Sequence, residues 1–235
     1  MIEQKRKAVL NRAIFVQRPL DSSALTALTS LFYIMSEVGD YEIFIRSGEK
    51  VVRRTTVKVM AEIAPSQTDM DLAKPGESAP GCTDDQPLTL GKNSVVAFYT
   101  SQGVQAYTVT ITQLGPEKKV VHLDSATAIP ENSLFAVTLV RPGIYSAVNT
   151  LGRGKAQIMV SLPVGERYRV DQPTVVESKK ARFSQEEIQI LSGQTVVFRC
   201  LDAARIRIEL VKADDRVEIP PERKRLTLHK HQPRG

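Results

Sequence analysis

Apolar and polar residues alternate along most of this chain of 235 residues. Tyr107, Val109 and Ile111 alternate with three threonines, and the same period of two runs through residues 41–45 and 206–210. A strand with one buried face has this period, whereas an amphipathic helix repeats every three or four residues. Glycine- and proline-containing turn signals separate the runs. The pattern predicts an all-β protein.

One stretch departs from this alternation. Residues 64–87 contain four prolines and two glycines, with scattered acidic residues and little periodicity. Such a composition is typical of connecting segments. We therefore predict a linker or long surface loop at 64–87.

Two sequence blocks recur along the chain, which indicates an internal repeat. Residues 30–32 read Ser-Leu-Phe and are followed by Gly-Asp-Tyr at 39–41. About 103 residues later, Ser-Leu-Phe at 133–135 is followed by Gly-Ile-Tyr at 143–145. In the second block, residues 90–98 are similar to residues 191–198, and both end in a Val-Val or Val-Val-Ala run before a phenylalanine.

The order of these blocks divides one copy between the two ends of the chain. Residues 88–164 hold one complete copy. Residues 1–63 hold the back half of the other copy, and residues 165–221 hold its front half. Residues 222–235 form a basic tail.

The blocks resemble the two halves of a cupredoxin-like or immunoglobulin-like β-sandwich. The front half resembles the entry strands in Ile188-Gln189-Ile190 and the following Val-Val-Phe run, and the back half resembles the exit strands in Pro142-Gly143 and Tyr145. The resemblance implies two antiparallel β-sandwich domains, one assembled from both chain ends. That split sandwich closes either within one chain or by exchange between neighbouring chains.

The alternation also predicts which side chains form the core. For residues 88–164 the expected core residues are Val96, Phe98, Val109, Ile111, Phe135, Val137, Tyr145 and Val160. For the split copy they are Phe32, Tyr41, Ile43, Ile45, Val57, Val59, Ile188, Ile190, Val196, Phe198, Ile206 and Ile208.

No residue set has the spacing of a catalytic or metal site. Cupredoxins bind copper through two histidines, a cysteine and usually a methionine, yet the hairpin positions at 41–45 and 145–149 contain neither Cys nor His. The chain has three histidines, and it lacks the Gly-x-Ser-x-Gly and His-Glu-x-x-His motifs. We therefore expect a protein that is not an enzyme, with no cofactor and no metal.

Positive charge is concentrated at the ends of the chain. The net charge is +6, and residues 1–18 and 222–235 each carry five basic residues and one acid, which leaves −2 for the rest. Such segments attract nucleic acid, anionic surfaces or acidic proteins. The candidate partner-binding residues are Lys5, Arg6, Lys7, Arg223, Lys224, Arg225, Lys230 and Arg234.

The compartment is expected to be the cytoplasm. The first residues lack an apolar signal-peptide core, and the longest apolar-leaning stretch, residues 24–35, is shorter than the roughly 20 residues of a membrane span. An extracytoplasmic location fits if a signal peptide has been removed. Cys82 and Cys200 form either one bridge or two free thiols.

Two functions fit these observations. The first is a non-enzymatic structural or accessory protein, a subunit of a larger assembly that acts through its β-sandwich surfaces and termini, with other subunits or a second copy as partners. The alternative is an adaptor whose basic termini hold a polyanion such as nucleic acid, an anionic surface or an acidic protein. A steep salt dependence of binding favours the alternative.

Overall fold

The structure is a computed structural model that describes residues 19–74, 88–115, 118–162 and 172–214. Within these residues the regular structure is entirely β, with seventeen strands and no helix, as the alternation predicts. The strands are β1 (Leu20–Asp21), β2 (Thr29–Met35), β3 (Gly39–Ser47), β4 (Lys50–Met60), β5 (Gln67–Asp71), β6 (Leu88–Gly91), β7 (Ser94–Tyr99), β8 (Thr108–Leu114), β9 (Lys119–Asp124), β10 (Leu134–Thr138), β11 (Gly143–Asn149), β12 (Lys155–Ser161), β13 (Thr174–Lys179), β14 (Arg182–Phe183), β15 (Glu187–Leu191), β16 (Thr195–Cys200) and β17 (Ile206–Ala213).

The described strands form three sheets. A large sheet has the order β14-β13-β16-β10-β2-β7-β5. The first small sheet has the order β6-β4-β3-β8-β9, and the second has the order β1-β17-β11-β12-β15. Each of the three sheets is mixed, since each contains at least one parallel pair among its antiparallel ones.

The parallel pairs arise because the chain winds in stacked coils, as in a β-solenoid. From β4 the chain crosses to β5 in the large sheet, returns to β6, and crosses again to β7. After one full turn each strand lies parallel to its predecessor, so β4 pairs with β6 and β5 pairs with β7. The same winding recurs later, where β12 pairs with β15 and β13 pairs with β16.

The two coiled halves of the molecule, β2–β9 and β10–β17, share specific local structures. The hydroxyls of Tyr41 and Tyr145 each donate a hydrogen bond to the backbone carbonyl four residues earlier, at 2.9 and 2.8 Å. Gly39 and Gly143 begin β3 and β11 with φ of 149° and 147°, a conformation that favours glycine. Each tyrosine therefore anchors the corner that leads into the corresponding strand.

The hydrophobic core is continuous across both halves. Leu31, Phe98, Phe135 and Phe198 lie in one row across β7, β2, β10 and β16, and all four are fully buried. The buried residues of all three sheets belong to a single cluster. The buried faces of the two small sheets therefore cover one face of the large sheet and leave its other face outward.

The prediction of two antiparallel sandwich domains is wrong. The pairing of β10 with β2 joins the two halves into one large sheet, and the stacked coils make every sheet mixed. The alternation identifies the buried face of each strand, but it does not identify the partner strand. The fold is therefore a β-solenoid-like stack of coils.

The predicted assembly of one copy from both chain ends is also wrong. Strands β2, β3 and β4 pair with β7, β8 and β6, which follow them closely in the chain. Among the described residues of 1–63, the two-residue strand β1 is the strand that pairs with the later segment, through β17. Strand β5 lies inside the predicted linker. Whether segments 1–63, 64–87, 88–164, 165–221 and 222–235 behave as separate units stays a prediction.

The predicted core is confirmed except at one position. All the residues named above for the core are buried apart from Phe32, which is partly exposed. Phe32 lies on the outward face of β2, between the buried Leu31 and Tyr33.

Candidate interaction surface

The sequence-predicted binding residues lie outside the part of the chain that the structure describes. Their proposed contact with a polyanion therefore stays a prediction. These residues are Lys5, Arg6, Lys7, Arg223, Lys224, Arg225, Lys230 and Arg234.

A metal or reactive site in the described residues would need several ionisable groups close together. No group of three or more His, Cys, Asp or Glu side chains in these ranges is placed to hold a metal ion. Cys200 is buried as a free thiol, and burial, followed by the charge of Asp202, raises its pKa to about 12. The thiol is therefore protonated at neutral pH. Cys82 lies outside the described residues.

His122 lines a small cavity of about 410 Å³. Its Nε2 lies 2.9 Å from Oε1 of Gln113, and its ring packs edge-on against Tyr41 with 5.7 Å between centroids. Burial, followed by the charge of Glu37, raises the pKa values of Tyr33 and Tyr41 to about 12. Both hydroxyls are therefore neutral, and the contacts of His122 are those of a side chain that packs the edge of the sheet.

The outward face of the first small sheet is polar and internally paired. Glu42 is 3% exposed and forms ion pairs with Arg54 and, at 3.2 Å, with Lys119. The hydrogen bond from Arg54 is the main cause that lowers the pKa of Glu42. The guanidinium groups of Arg46 and Arg54 each lie 5.6 Å from the ring centre of Phe44. Charges on this face therefore largely satisfy one another.

The outward face of the large sheet is different, because most outward positions of β7, β2 and β10 are apolar, with Ser30 and Thr138 as polar exceptions. Phe32 on β2 lies between Ala97 on β7 and Leu134 on β10 in the sheet register. Ile34 is 36% exposed, and Val175 is 50% exposed. We call this surface the apolar face; it consists of Phe32, Ile34, Val95, Ala97, Tyr99, Leu134, Ala136, Val175 and Val197.

Opposite charges flank the apolar face. On one side, β5 directs Asp69 and Asp71 outward, and we call this side the acidic edge. On the other side, Lys179 of β13 pairs in register with Arg182 of β14, and we call this side the basic edge. Glu177, on the same strand as Lys179, forms an ion pair of 3.8 Å with Arg199 of β16. The net charges of the two edges are therefore opposite.

Another concave region lies on the second small sheet. It is an open cavity of about 840 Å³ whose floor includes Ile144 and Met159, with Gln189 and Lys212 in the same cross-strand row. Its lining residues include one cation, Lys212, and one acid, Asp214, and they contain no cluster of reactive groups. Its shape and composition do not identify a ligand.

No protein-family model, curated protein or solved structure matches this chain. No helix among the described residues is long and apolar enough to cross a membrane. The functional argument therefore depends on the surfaces of the chain itself.

The apolar face was missed at the sequence level although a signal for it is present. Residues 31–35, 95–99 and 134–137 are continuous apolar runs, whereas residues 107–112 alternate. A continuous run is typical of a strand covered on both faces. The sequence interpretation assigned Phe32 to the core and did not consider a second covered face.

Proposed function

We propose that this chain is a non-enzymatic structural or accessory subunit of a larger assembly, and that it binds its neighbour through the apolar face. The observation that carries this proposal is the run of outward apolar side chains on β7, β2, β10 and β16, at the centre of the largest sheet. Single exposed apolar residues are common on protein surfaces, but a contiguous set with few charges is typical of an interaction site.

The position of the apolar face also supports a structural role. Its residues are on paired strands in the middle of a sheet, so the surface is preformed and rigid. A preformed surface loses little conformational entropy when it binds. The pairing of β2 with β10 places residues of both coiled halves on this one surface.

The test is the size of the native complex in extracts of the source cells. The full chain is expected to elute at a mass well above 26.0 kDa. Phe32→Glu and Leu134→Glu place a charge in the centre of the apolar face and are expected to shift the chain to its monomer mass. Val121→Glu is the matched control, because Val121 is 58% exposed on the edge strand of the first small sheet.

Elution of the unmodified chain as a monomer would overturn the proposal. Elution of all three variants with the unmodified chain would show that an assembly exists but uses a different surface.

A further inference from the structure

We propose that this chain has a second interaction surface, which binds the phosphate backbone of double-stranded DNA. The surface lies at the corner of the molecule where the turn between β11 and β12 meets the turn between β13 and β14. It does not include the apolar face, and it is independent of the function proposed above. We call it the basic corner; its cations are Arg153, Lys155, Lys179, Lys180 and Arg182.

The two turns of the basic corner are in close contact. A Cβ atom on Gly152 would lie 2.3 Å from the Cβ of Ala181, and a Cβ atom on Gly154 would lie 2.6 Å from the carbonyl oxygen of Ala181. Because these distances are too short for real atoms, larger residues at the two glycine positions would push the turns apart. The cations adjacent to these three residues in the sequence are therefore close together in space: Arg153, Lys180 and Arg182.

A buried asparagine holds the corner in place. Asn149 is fully buried, and its Nδ2 donates a hydrogen bond of 3.1 Å to Oγ of Ser178, which directly precedes Lys179. Its Oδ1 accepts hydrogen bonds from the backbone N–H groups of Leu151 and Arg205, at 3.1 and 3.3 Å. Asn149 therefore connects both turns to the segment that leads into β17. A corner fixed in this way loses little conformational entropy when it binds.

The turn between β13 and β14 does not itself explain the lysine at its tip. Lys180 and Ala181 both have positive φ, at 50° and 52°, and two-residue hairpin turns of this kind favour asparagine, aspartate and glycine. Lys180 is exposed and has no conformational advantage at this position. The positive charge is therefore kept at a cost in backbone conformation, which is a feature of functional sites.

Nearby carboxylates do not neutralise the basic corner. None of its five cations forms an ion pair with a described residue. The carboxylate of Asp202 accepts a hydrogen bond from the backbone N–H of Lys180, which leaves the lysine ammonium group unpaired. Glu177 pairs with Arg199. The corner therefore presents uncompensated positive charge to solvent.

The net charge of the segments that meet at the corner is also positive. Residues 149–155, 177–187 and 199–207 contain eight basic and four acidic side chains, a net charge of +4. Residues 19–221 as a whole carry −2. Positive charge is thus concentrated here within an acidic body, and such a local field attracts an anionic partner.

The shape of the corner favours DNA over a membrane. Lys155 is on the outward face of the second small sheet, and Lys179 is on the outward face of the large sheet. These faces point in opposite directions, because the two sheets bury their inward faces in one core. A flat bilayer cannot contact both faces, whereas the phosphate rows on the two sides of a DNA groove can. Leu151 adds one exposed apolar side chain, and membrane-surface binding needs a whole apolar face.

The composition of the corner favours a duplex over a single strand. Proteins that bind single strands stack the bases on exposed aromatic side chains. Phe183, which follows the β13–β14 turn, instead packs against Phe198 with 5.4 Å between ring centroids. Lysine and arginine side chains alone contact phosphates and do not read the bases. We therefore expect binding to duplex DNA that does not depend on sequence.

The experiment is the fluorescence anisotropy of a labelled DNA duplex of mixed sequence, titrated with the purified full chain at several salt concentrations. We expect a Kd of about 10 µM or tighter at about 0.15 M salt, with log affinity falling linearly with log salt concentration. The same strand without its complement should bind more weakly. Vesicles that contain phosphatidylserine should not compete.

The critical variant is Arg153→Gln with Lys180→Asn. Asparagine is favoured at positive φ, so the turn should keep its fold. The variant should bind about tenfold more weakly, and its salt slope should fall by about one for each cation removed. The matched control is Lys58→Gln with Lys92→Gln, which removes two exposed cations from the other half of the molecule and changes the net charge equally. Circular dichroism shows that each variant is folded.

An equal loss of affinity in both double variants would overturn the basic corner as the site, because binding would then follow net charge. Unchanged affinity in the critical variant would also overturn it and would favour the basic termini. Tighter binding to the single strand or to the vesicles would overturn duplex DNA as the partner, and so would binding that is lost at about 0.15 M salt. Phe32→Glu should bind the duplex as the unmodified chain does, so this test and that of the proposed function fail separately.

Discussion

The outward face of the large sheet and the outward face of the first small sheet differ in composition, although both sheets bury their inward faces in the same core. On the first small sheet, outward positions carry charged and hydroxyl side chains such as Arg54 and Thr110. On the large sheet, the corresponding central positions carry Phe32, Leu134 and Val197. Because both sheets consist of paired β-strands, β-sheet formation alone does not explain the difference.

The polar face of the first small sheet is stabilised by contacts within the chain. Thr110 accepts a hydrogen bond of 2.8 Å from Arg46, and Glu42 is paired with two cations. The apolar face has no comparable set of internal partners, and each of its side chains that is buried on binding contributes free energy. The comparison therefore supports the proposal that the large sheet, unlike the first small sheet, binds another protein through its outward face.

The largest expected effect tests whether the inward faces form one core. Phe98 and Phe198 are fully buried on β7 and β16, in opposite halves of the molecule. Phe98→Ala and Phe198→Ala should each lower the free energy of unfolding by about 3–5 kcal/mol. Urea unfolding followed by circular dichroism should show a single transition for both variants. Two transitions, each shifted by one variant alone, would instead indicate two independent domains.

The next effect separates the two faces of a single strand. Leu31 is fully buried on β2, whereas the adjacent Phe32 is outward and partly exposed. Leu31→Ser should cost about 3 kcal/mol or more of unfolding free energy, since it removes buried apolar volume and introduces a buried hydroxyl. Phe32→Ser should cost about 1 kcal/mol or less in the monomer. The measurement is urea unfolding at a protein concentration where the monomer dominates. Equal losses would show that the outward face is covered within the chain.

The sequence predicted the class of the structure and nearly all of its core. The period of two gives the inward side of each strand, so Val96, Ile111 and Ile208 were assigned correctly. The exception, Phe32, followed from aligning Phe32 with Phe135, which is buried. In β-strands a shift of one residue exchanges the faces, and it is Leu31 that lies beside Phe135 in the core.

The same alternating pattern does not predict which strands pair with each other. Strand β5 has one buried apolar residue, Met70, among four polar ones, so no alternation marks it. The parallel pairs join strands that are separated by a whole coil, and alternation contains no information about such distant partners. The apolar face was detectable in the continuous run at 31–35, but its outward position depends on the pairing. The basic termini lie outside the described residues and stay a prediction.

A smaller effect concerns the paired charges of the first small sheet. The pKa of Glu42 is lowered in the folded state, chiefly by the hydrogen bond from Arg54. Its stabilisation is therefore present above the unfolded pKa of about 4.3 and is lost as pH falls through the folded pKa. At neutral pH, Glu42→Gln should cost about 1 kcal/mol, because both cationic partners are exposed.

The measurement is the free energy of unfolding of the unmodified chain and of Glu42→Gln between neutral pH and pH values below 4.3. The difference between them should shrink as the solution becomes more acidic. Glu209→Gln is the control, since Glu209 is about half exposed in its ion pair with Arg207. A constant difference at all pH values would show that the carboxylate charge of Glu42 is not the cause.

The smallest expected effect on stability gives the sharpest contrast between the two kinds of outward face. Ile34 and Val121 are exposed β-branched side chains, at 36% and 58%, on the large sheet and the first small sheet. Ile34→Thr and Val121→Thr should each change the monomer's unfolding free energy by less than about 0.5 kcal/mol, because exposed substitutions that keep the β-branched shape have little effect. Assembly is expected to respond differently. Ile34→Thr removes an apolar contact from the apolar face and should weaken binding to the neighbouring subunit several-fold, whereas Val121→Thr should leave it unchanged, as measured by the elution of the native complex in cell extracts. An equal response of the two variants would contradict the distinction between the large sheet and the first small sheet, whatever their effect on stability.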